Sequence, residues 1–301
     1  MTRSISEDAT KKIVHIVLDT DTYNEVDDQF ALAYAILSPD RIKLEACYAA
    51  PFYADDSIND RSTSPVDGME KSYNEIVRIL GLMGQTDKIP VFRGSKNYLP
   101  NPSTPVQSEA VDDLIKRAMA DRDAPLYVVA IAAITNIASA ILKEPKIIDR
   151  IVVIWLGGHP HSWHTANEFN LMQDLAASQL IFNCGVPLVH VPCKNVAEHL
   201  RVSLPELKSC IGGKSKIGDY LCGIFEGYQK DHFGWSKEIW DVANIAYLVN
   251  PKWVPTERVH SPILTDKMEW AFDNSRHFIE VAKDVNRNAT FKDIFTKLNQ
   301  S

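Results

Sequence analysis

The chain is poor in the features that mark secreted, membrane-spanning or nucleic-acid-binding proteins. Its five cysteines, Cys47, Cys184, Cys193, Cys210 and Cys222, are an odd number, lie far apart and include no Cys-x-x-Cys pair. A disulfide framework and a cysteine zinc site are therefore not expected, and the thiols are read as reduced. No run of lysine and arginine forms a basic stripe, and the formal net charge is −7. Nucleic acid is thus not the expected partner, and the acidic balance mostly promotes solubility. No stretch reaches the roughly 20 apolar residues of a membrane-spanning helix. The opening MTRSISEDATKK is polar with no apolar centre, so neither a secretory signal nor a membrane anchor is expected there, and the cytoplasm is the expected compartment. Internal repeats and low-complexity tracts are also lacking, as is any convincing domain boundary. With 301 residues, of which 45% are hydrophobic and 24% charged, the chain is read as one large α/β domain over residues 1–301.

Acid is concentrated at one place. Ile13 to Leu18 is short, apolar and rich in β-branched residues, as a buried strand is, and Phe30, Tyr34 and Leu37 recur at helical spacing. Asp19 and Asp21 fall at the end of that strand. Asp27 and Asp28 fall in or just before the first helical turn, where free N–H groups and the helix dipole favour negative charge. Either of these last two alone reads best as a cap. Four carboxylates at one strand-to-helix joint ask for more, because buried like charges raise one another's pKa and destabilise the fold unless a cation or specific hydrogen bonds neutralise them. Oxygen donors without clustered cysteine or histidine favour calcium or magnesium over zinc or copper.

Further along, the pattern predicts strands at Ile42 to Ala50, Ile89 to Phe92, Leu126 to Ile131, Ile151 to Leu156 and Leu188 to Val191, with a last one at Phe278 to Val281. Helices are predicted at Met69 to Met83, Ser108 to Ala120, Thr135 to Leu142, Leu175 to Asn183, Ile217 to Lys230, Val242 to Val249 and Phe291 to Leu298. Strands separated by helices imply βαβ crossovers. The expected fold is a mostly parallel, Rossmann-like open sheet flanked by helices, with extra helices in the C-terminal half and ligand sites at the C-terminal ends of the strands. Pro51 to Asp67, rich in Asp, Ser, Asn and Pro, is read as a long loop serving as a substrate lid. His159, His161 and His164 invite a zinc reading, but with no cysteine beside them a solvated or substrate-facing loop is expected.

Four segments in order resemble the nucleoside hydrolase family, whose members cut the N-glycosidic bond of ribonucleosides with a calcium-bound water. They are Asp19-Thr20-Asp21 with Asp27-Asp28, the run Ala130 to Ala138, Trp155 to Gly158 followed by Glu168-Phe169-Asn170, and Asp241 opening a helix. Taken singly, Glu168-Phe169-Asn170 is a polar loop, Asn136 a helix cap and Asp241 an N-cap. The resemblance implies Ca2+ held by Asp21, Asp28, Asp241 and the backbone carbonyl of Ile131, with Asp21 as general base. It places Asp27, Glu168 and Asn170 on the ribose hydroxyls of a small nucleoside substrate and implies a homo-oligomer, a dimer or a tetramer.

The chain departs from the family in three places. The gap between the two acidic pairs is two residues longer. Trp240 stands where many members have a histidine that serves the leaving base; a purine-selective branch similarly has tryptophan there and activates the base by stacking, so purine nucleosides are the expected substrates and Trp240 is expected to line the base pocket. Ala50-Pro51-Phe52-Tyr53 replaces the stretch where the family places a ribose-binding asparagine, with Tyr53 and Asn59 as alternatives for its role. His164 is the candidate proton donor to the base. Two rival readings stand beside this one. Ile16 to Thr22 also matches the opening motif of haloacid-dehalogenase-like phosphohydrolases, with Asp19 as nucleophile and Lys194 as the later lysine, and a protein of the same fold that binds calcium and nucleoside without turnover would show the same residues.

Overall fold

The computed structural model describes residues 13–53 and 61–301. Eight strands form one sheet: β1 (Val14–Thr20), β2 (Ile42–Ala49), β3 (Val91–Arg93), β4 (Leu126–Ile131), β5 (Ile151–Leu156), β6 (Leu188–Val191), and, after a short ribbon of β7 (Arg201–Val202) and β8 (Lys237–Glu238), β9 (Thr256–His260) and, past the ribbon of β10 (Ile263–Leu264) and β11 (Trp270–Ala271), β12 (Phe278–Ala282). Their order across the sheet is β3-β2-β1-β4-β5-β6-β12-β9. All pairings are parallel except β12 with β9.

Alternation along the strands builds two layers. Ile16 and Leu18 of β1, Val129 and Ile131 of β4, and Ile154 and Leu156 of β5 face one apolar layer. Val17, Val128, Ala130, Val153 and Trp155 face the other. Helices cover both faces, which is why the central strands read as continuous apolar runs rather than alternating ones. On the first face lie α1 (Asp27–Ile36) and α2 (Pro65–Leu82). On the second lie α3 (Glu109–Met119) and α4 (Thr135–Lys143), and, beyond the short α5 (Phe169–Gln173), α6 (Leu175–Asn183). The C-terminal half returns to the first face with α7 (Leu204–Ile211), α8 (Lys216–Tyr228), α9 (Val242–Val249) and α10 (Arg287–Leu298). Among the described residues no helix is long and apolar enough to cross a membrane.

The order reverses between β1 and β4. From β1 the chain moves outward through β2 to β3, then returns to β4 and proceeds the other way. A crevice therefore opens at the C-terminal ends of β1 and β4, the place where open α/β sheets bind ligands. Thr20 pairs in register with Ile131, so the acidic joint after β1 and the last residue of β4 meet at that crevice.

Some expectations need correction. The segment expected to be loop through Asp67 ends earlier, because Pro65 takes the first helical position, Ser64 Oγ accepts from Asp67 N (3.2 Å) and Asp67 accepts from Thr63 N (2.8 Å). The core face of α2 is made by Met69, Ile76, Ile79 and Leu80, with Val77 only half-buried. The antiparallel edge strand β9, with exposed Glu257 and Arg258, carries no apolar alternation by which to recognise it. Asn136 does not cap α4. Its Nδ2 donates to Asp19 Oδ1 and its Oδ1 accepts from Ser95 N, both at 2.7 Å and both buried.

Asn136→Ala would leave both buried partners without a hydrogen bond. Each such loss costs about 1–3 kcal/mol, so an overall destabilisation of about 2–4 kcal/mol is expected in equilibrium urea unfolding; an unchanged midpoint would show that the bridge from α4 to β1 carries no stability.

Candidate active site

The crevice holds a cavity of about 310 Å³ lined by Asp21, Asn24, Glu25, Asp27, Asp28, Ile131, Leu156, His159, Glu168, Phe169, Asn170, Cys193, Lys194, Trp240 and Asp241. Six stretches of chain build it: those that end or follow β1, β4, β5 and β6, and those that open α5 and α9. The turn after β1 supplies Asp21 to Glu25, and the first turn of α1 supplies Asp27 and Asp28. The N-cap of α1 is Val26, and no side chain caps that helix. Asp241 sits at the N-cap of α9 and makes no side-chain cap bond either. None of these acids is therefore spent on ending a helix, the bland reading each had when taken alone.

The acids repel one another. One carboxylate oxygen from each of Asp27, Asp28 and Asp241 lies within 4.8 Å of the others. All three are buried, as are Asp19 and Asp21. Burial, then the charge of Asp27, pushes Asp28 up; burial, then Asp27, Asp28 and Asp21, pushes Asp241 up. Burial and the neighbouring Asp28 likewise raise Asp21. For Asp27, burial and Glu25 outweigh the pull of Lys237 and raise it to about 6. Thr20 Oγ1 donates to Asp28 Oδ1, but Asp21 Oδ2 is buried without a hydrogen-bond partner among the described residues. Crowded oxygen donors with an orphaned carboxylate oxygen fit a hard divalent cation, and among the described residues the acids form the one cluster of this kind. The three histidines of the Gly-Gly loop do not converge.

That loop is shaped by its two glycines. A Cβ on Gly157 would lie 2.6 Å from the Trp155 ring, and Gly158 has φ +73°. Gly158 N donates to Glu168 Oε2 (2.7 Å), and the same carboxylate accepts from Asn170 N (3.1 Å) and Leu171 N (3.2 Å). Glu168-Phe169-Asn170 is thus the capped start of α5 rather than a plain polar loop. Asn170 Nδ2 donates to Leu156 O (3.0 Å), which leaves an acceptor oxygen for a ligand. Behind the loop, His190 Nε2 donates to Gly157 O (2.6 Å), so its Nδ1 accepts from His161 (3.1 Å). Burial keeps both rings neutral, with His190 pushed down to about 4.

Two lysines lie close to the acids, the buried Lys237 and the half-buried Lys194. Lys237 Nζ contacts Glu25 Oε2 (2.5 Å), and Tyr228 donates to Glu25 Oε1 (3.2 Å). Burial works against the Lys237 ammonium, but Asp27 and Glu25 outweigh it and hold its pKa up. Lys194 Nζ lies 5.2 Å from the centre of the Trp240 ring.

Of the residues singled out from the sequence, Asp21, Asp27, Asp28, Ile131, Glu168, Asn170, Trp240 and Asp241 come together on this cavity. Tyr53 does not line it; its backbone N–H donates to Gln173 (2.9 Å). His164, the candidate proton donor, is exposed and also off the cavity wall, because the loop turns His159 inward instead. Asn59 lies outside the described residues. Asn24, Glu25, His159, Cys193 and Lys194 line the cavity without having been assigned to it from the sequence. The longer acidic turn was the available signal for Asn24 and Glu25. Asp19, the nucleophile of the phosphohydrolase reading, is fully buried against Asn136 and is not on the wall.

The profile of the family described as "Inosine-uridine preferring nucleoside hydrolase" matches residues 16–292. A probable uridine nucleosidase 2 of Arabidopsis thaliana is 25% identical over 72% of this chain and 70% of its own length. The pyrimidine-specific ribonucleoside hydrolase RihA of Klebsiella pneumoniae is 24% identical over 75% and 77%. In solved structures, the purine-preferring ribonucleoside hydrolase of Gardnerella vaginalis superposes with a TM-score of 0.75 at 21% identity, covering 95% of this chain and 98% of that one, which speaks for the fold.

The raised carboxyls set a pH dependence. Asp19, lifted by burial to about 7, and Asp27, at about 6, keep protons in the folded state that the unfolded chain releases near 3.8. The folded state therefore binds more protons in that window, and its stability falls as pH rises through it. Glu45 acts oppositely but lower, since hydrogen bonds from Arg122 and His15 overcome burial and pull it to about 2. His190 and His161, whose pKa burial pushes below the usual 6.5, oppose this trend up to about that pH. For metal-free protein the thermal midpoint is therefore expected to drop between about pH 6.5 and about pH 8, and a divalent cation to reverse the drop; a flat or rising midpoint there would rule out an unneutralised acidic cluster.

Proposed function

This chain belongs to the inosine-uridine preferring nucleoside hydrolase family, and from that premise we propose that it hydrolyses the N-glycosidic bond of ribonucleosides to free base and ribose, with purine nucleosides favoured and calcium as cofactor. The observation that carries the reading is the convergence of Asp21, Asp27, Asp28 and Asp241 with the end of β4 on one cavity at the reversal of strand order. Asp21, Asp28, Asp241 and the Ile131 carbonyl would hold the cation, which would supply a fixed water of lowered pKa. Asp27, whose carboxylate oxygen lies within 4.8 Å of those of Asp28 and Asp241, would border the cation and also reach the ribose hydroxyls.

Each residue then has a task set by the chemistry. Loss of the base passes through an oxocarbenium-like transition state. The cavity wall carries six carboxylates, Asp21, Glu25, Asp27, Asp28, Glu168 and Asp241, against Lys194, a field that favours positive charge developing on the sugar. Asp21, whose Oδ2 has no partner, accepts the proton of the attacking water. Asn170 and Asp27 accept from ribose hydroxyls and fix the sugar's orientation. Glu168 is held rigid by three backbone amides and braces the same end. Trp240 offers its face to the base, and a 310 Å³ cavity has room for a nucleoside. The Trp240 face is the support for purine preference over the pyrimidine preference named for RihA.

Two outcomes are expected. In assays of base and ribose release from a panel of nucleosides, Asp21→Asn lowers kcat by about 10³-fold or more and a chelator abolishes turnover until calcium is restored. Trp240→Ala lowers kcat/KM for purine nucleosides at least about tenfold and affects pyrimidine nucleosides less. Absence of release from any nucleoside, together with metal-dependent phosphate release from a phosphomonoester, would overturn the proposal in favour of a phosphohydrolase. Tight calcium and ribose binding without any turnover would leave a binding protein.

A further inference from the structure

The departing base takes the electron pair of the broken bond, and that charge needs a partner. Trp240 and the Asn170 amide have no ionisable proton, Asn170 spends one of its two N–H groups on Leu156 O, and His164 is exposed. Among the described residues lining the cavity, Lys194 is the one lysine or arginine. His159 beside it is kept neutral, because burial and the Lys194 charge both push its pKa down.

The place of Lys194 is built into the backbone. It follows β6 across Pro192 and Cys193, and Cys193 N donates to Gly158 O (3.0 Å), tying this turn to the Gly-Gly loop. The next residue, Asn195, has φ +60°, a conformation asparagine tolerates, and its N–H donates to Glu198 Oε1 (2.6 Å). Lys194 Nζ therefore projects over Trp240, 5.2 Å from the ring centre. Its tether is weak. Glu198 Oε2 is 3.4 Å away, and the two side chains are 35% and 25% exposed, a solvated pair that holds the ammonium only loosely.

A base stacked on Trp240 and the ammonium over the same ring compete for one face. The lysine stem is flexible, so an entering base displaces Nζ from the ring to the base's own edge. An ammonium has three donors and no acceptor; it pairs with an oxo oxygen or a bare ring nitrogen and is repelled by an amino group.

We propose that Lys194 is the leaving-group residue of this site and that it selects nucleosides whose base presents an oxo group at that edge, 6-oxopurines above 6-aminopurines. This deepens the hydrolase reading and rests on it. In the step, the C1′–N bond breaks with its electron pair on the base, the water oxygen bonds to C1′, and one water proton passes to Asp21. The base anion is held against the Lys194 ammonium, then takes up the proton that Asp21 releases through solvent, so Lys194 ends as it began.

The test compares wild type, Lys194→Met and Lys194→Arg on inosine, adenosine and a nitrophenyl riboside, whose phenolate leaves without assistance. Wild type is expected to prefer inosine to adenosine. Lys194→Met is expected to lose on the order of 100-fold in kcat on inosine, the size of effect seen when one charge-stabilising donor is removed, while keeping the nitrophenyl activity; Lys194→Arg is expected to recover most of the loss. Equal losses on inosine and the nitrophenyl riboside, or none on either, would overturn the role of Lys194 while leaving the hydrolase intact. Wild type that releases ribose from none of the three would overturn the hydrolase reading itself and this inference with it.

Discussion

Repulsion among buried carboxylates is the constraint on which the rest of this structure depends. Asp21, Asp27, Asp28 and Asp241 are each nearly or wholly removed from water, and burial raises the pKa of all four; Asp28 and Asp27 add to this at Asp21, Asp27 adds to it at Asp28, and Asp27, Asp28 and Asp21 add to it at Asp241. Such a cluster persists in a folded chain only when other parts of the protein hold it in place and protons, hydrogen bonds or a cation offset its charge. The scaffold meets the first requirement. Parallel strands buried on both faces position the turn after β1, α1 packs on the same apolar layer as β1, and α9 brings Asp241 from the far end of the sequence.

The same architecture leaves room for a ligand. Reversal of strand order between β1 and β4 opens the sheet where both strands end, so the acids meet a cavity and not a packed layer. The opposite wall comes from β5 and β6, whose ends carry the Gly-Gly loop and the Cys193-Lys194 turn. Backbone hydrogen bonds and the buried His190 link the two. Charge is thus distributed unevenly across the cavity. Six carboxylates line it, and the one lysine among the described residues on its wall, Lys194, has its Nζ 5.2 Å from the centre of the Trp240 ring.

Much of this was legible in the sequence where one physical cause dominated. The strands Leu126 to Ile131, Ile151 to Leu156 and Leu188 to Val191 and the helices Leu175 to Asn183 and Val242 to Val249 appear with their expected ends, because full burial on a parallel sheet leaves an apolar run with sharp borders. Residues whose role depends on a bond across the fold were misread. Asn136 reads as a helix cap and instead reaches Asp19, 117 residues away in the chain. His164 and His159 are interchangeable in the sequence, and only the conformation of the Gly-Gly loop separates the exposed ring from the one on the cavity wall. The edge strand β9 carries charge where a core strand carries valine or isoleucine, so its pairing with β12 left no pattern to read.

By itself the sequence determined the α/β class and the acidic joint, because these follow from local periodicity and from the kind of side chains present. The tertiary structure decided which acids share a cavity, which histidine faces it and that Lys194 stands over Trp240. Those facts depend on strand order and loop conformation, which bring together residues distant in the chain, and no local pattern encodes the distance between two side chains separated by scores of residues.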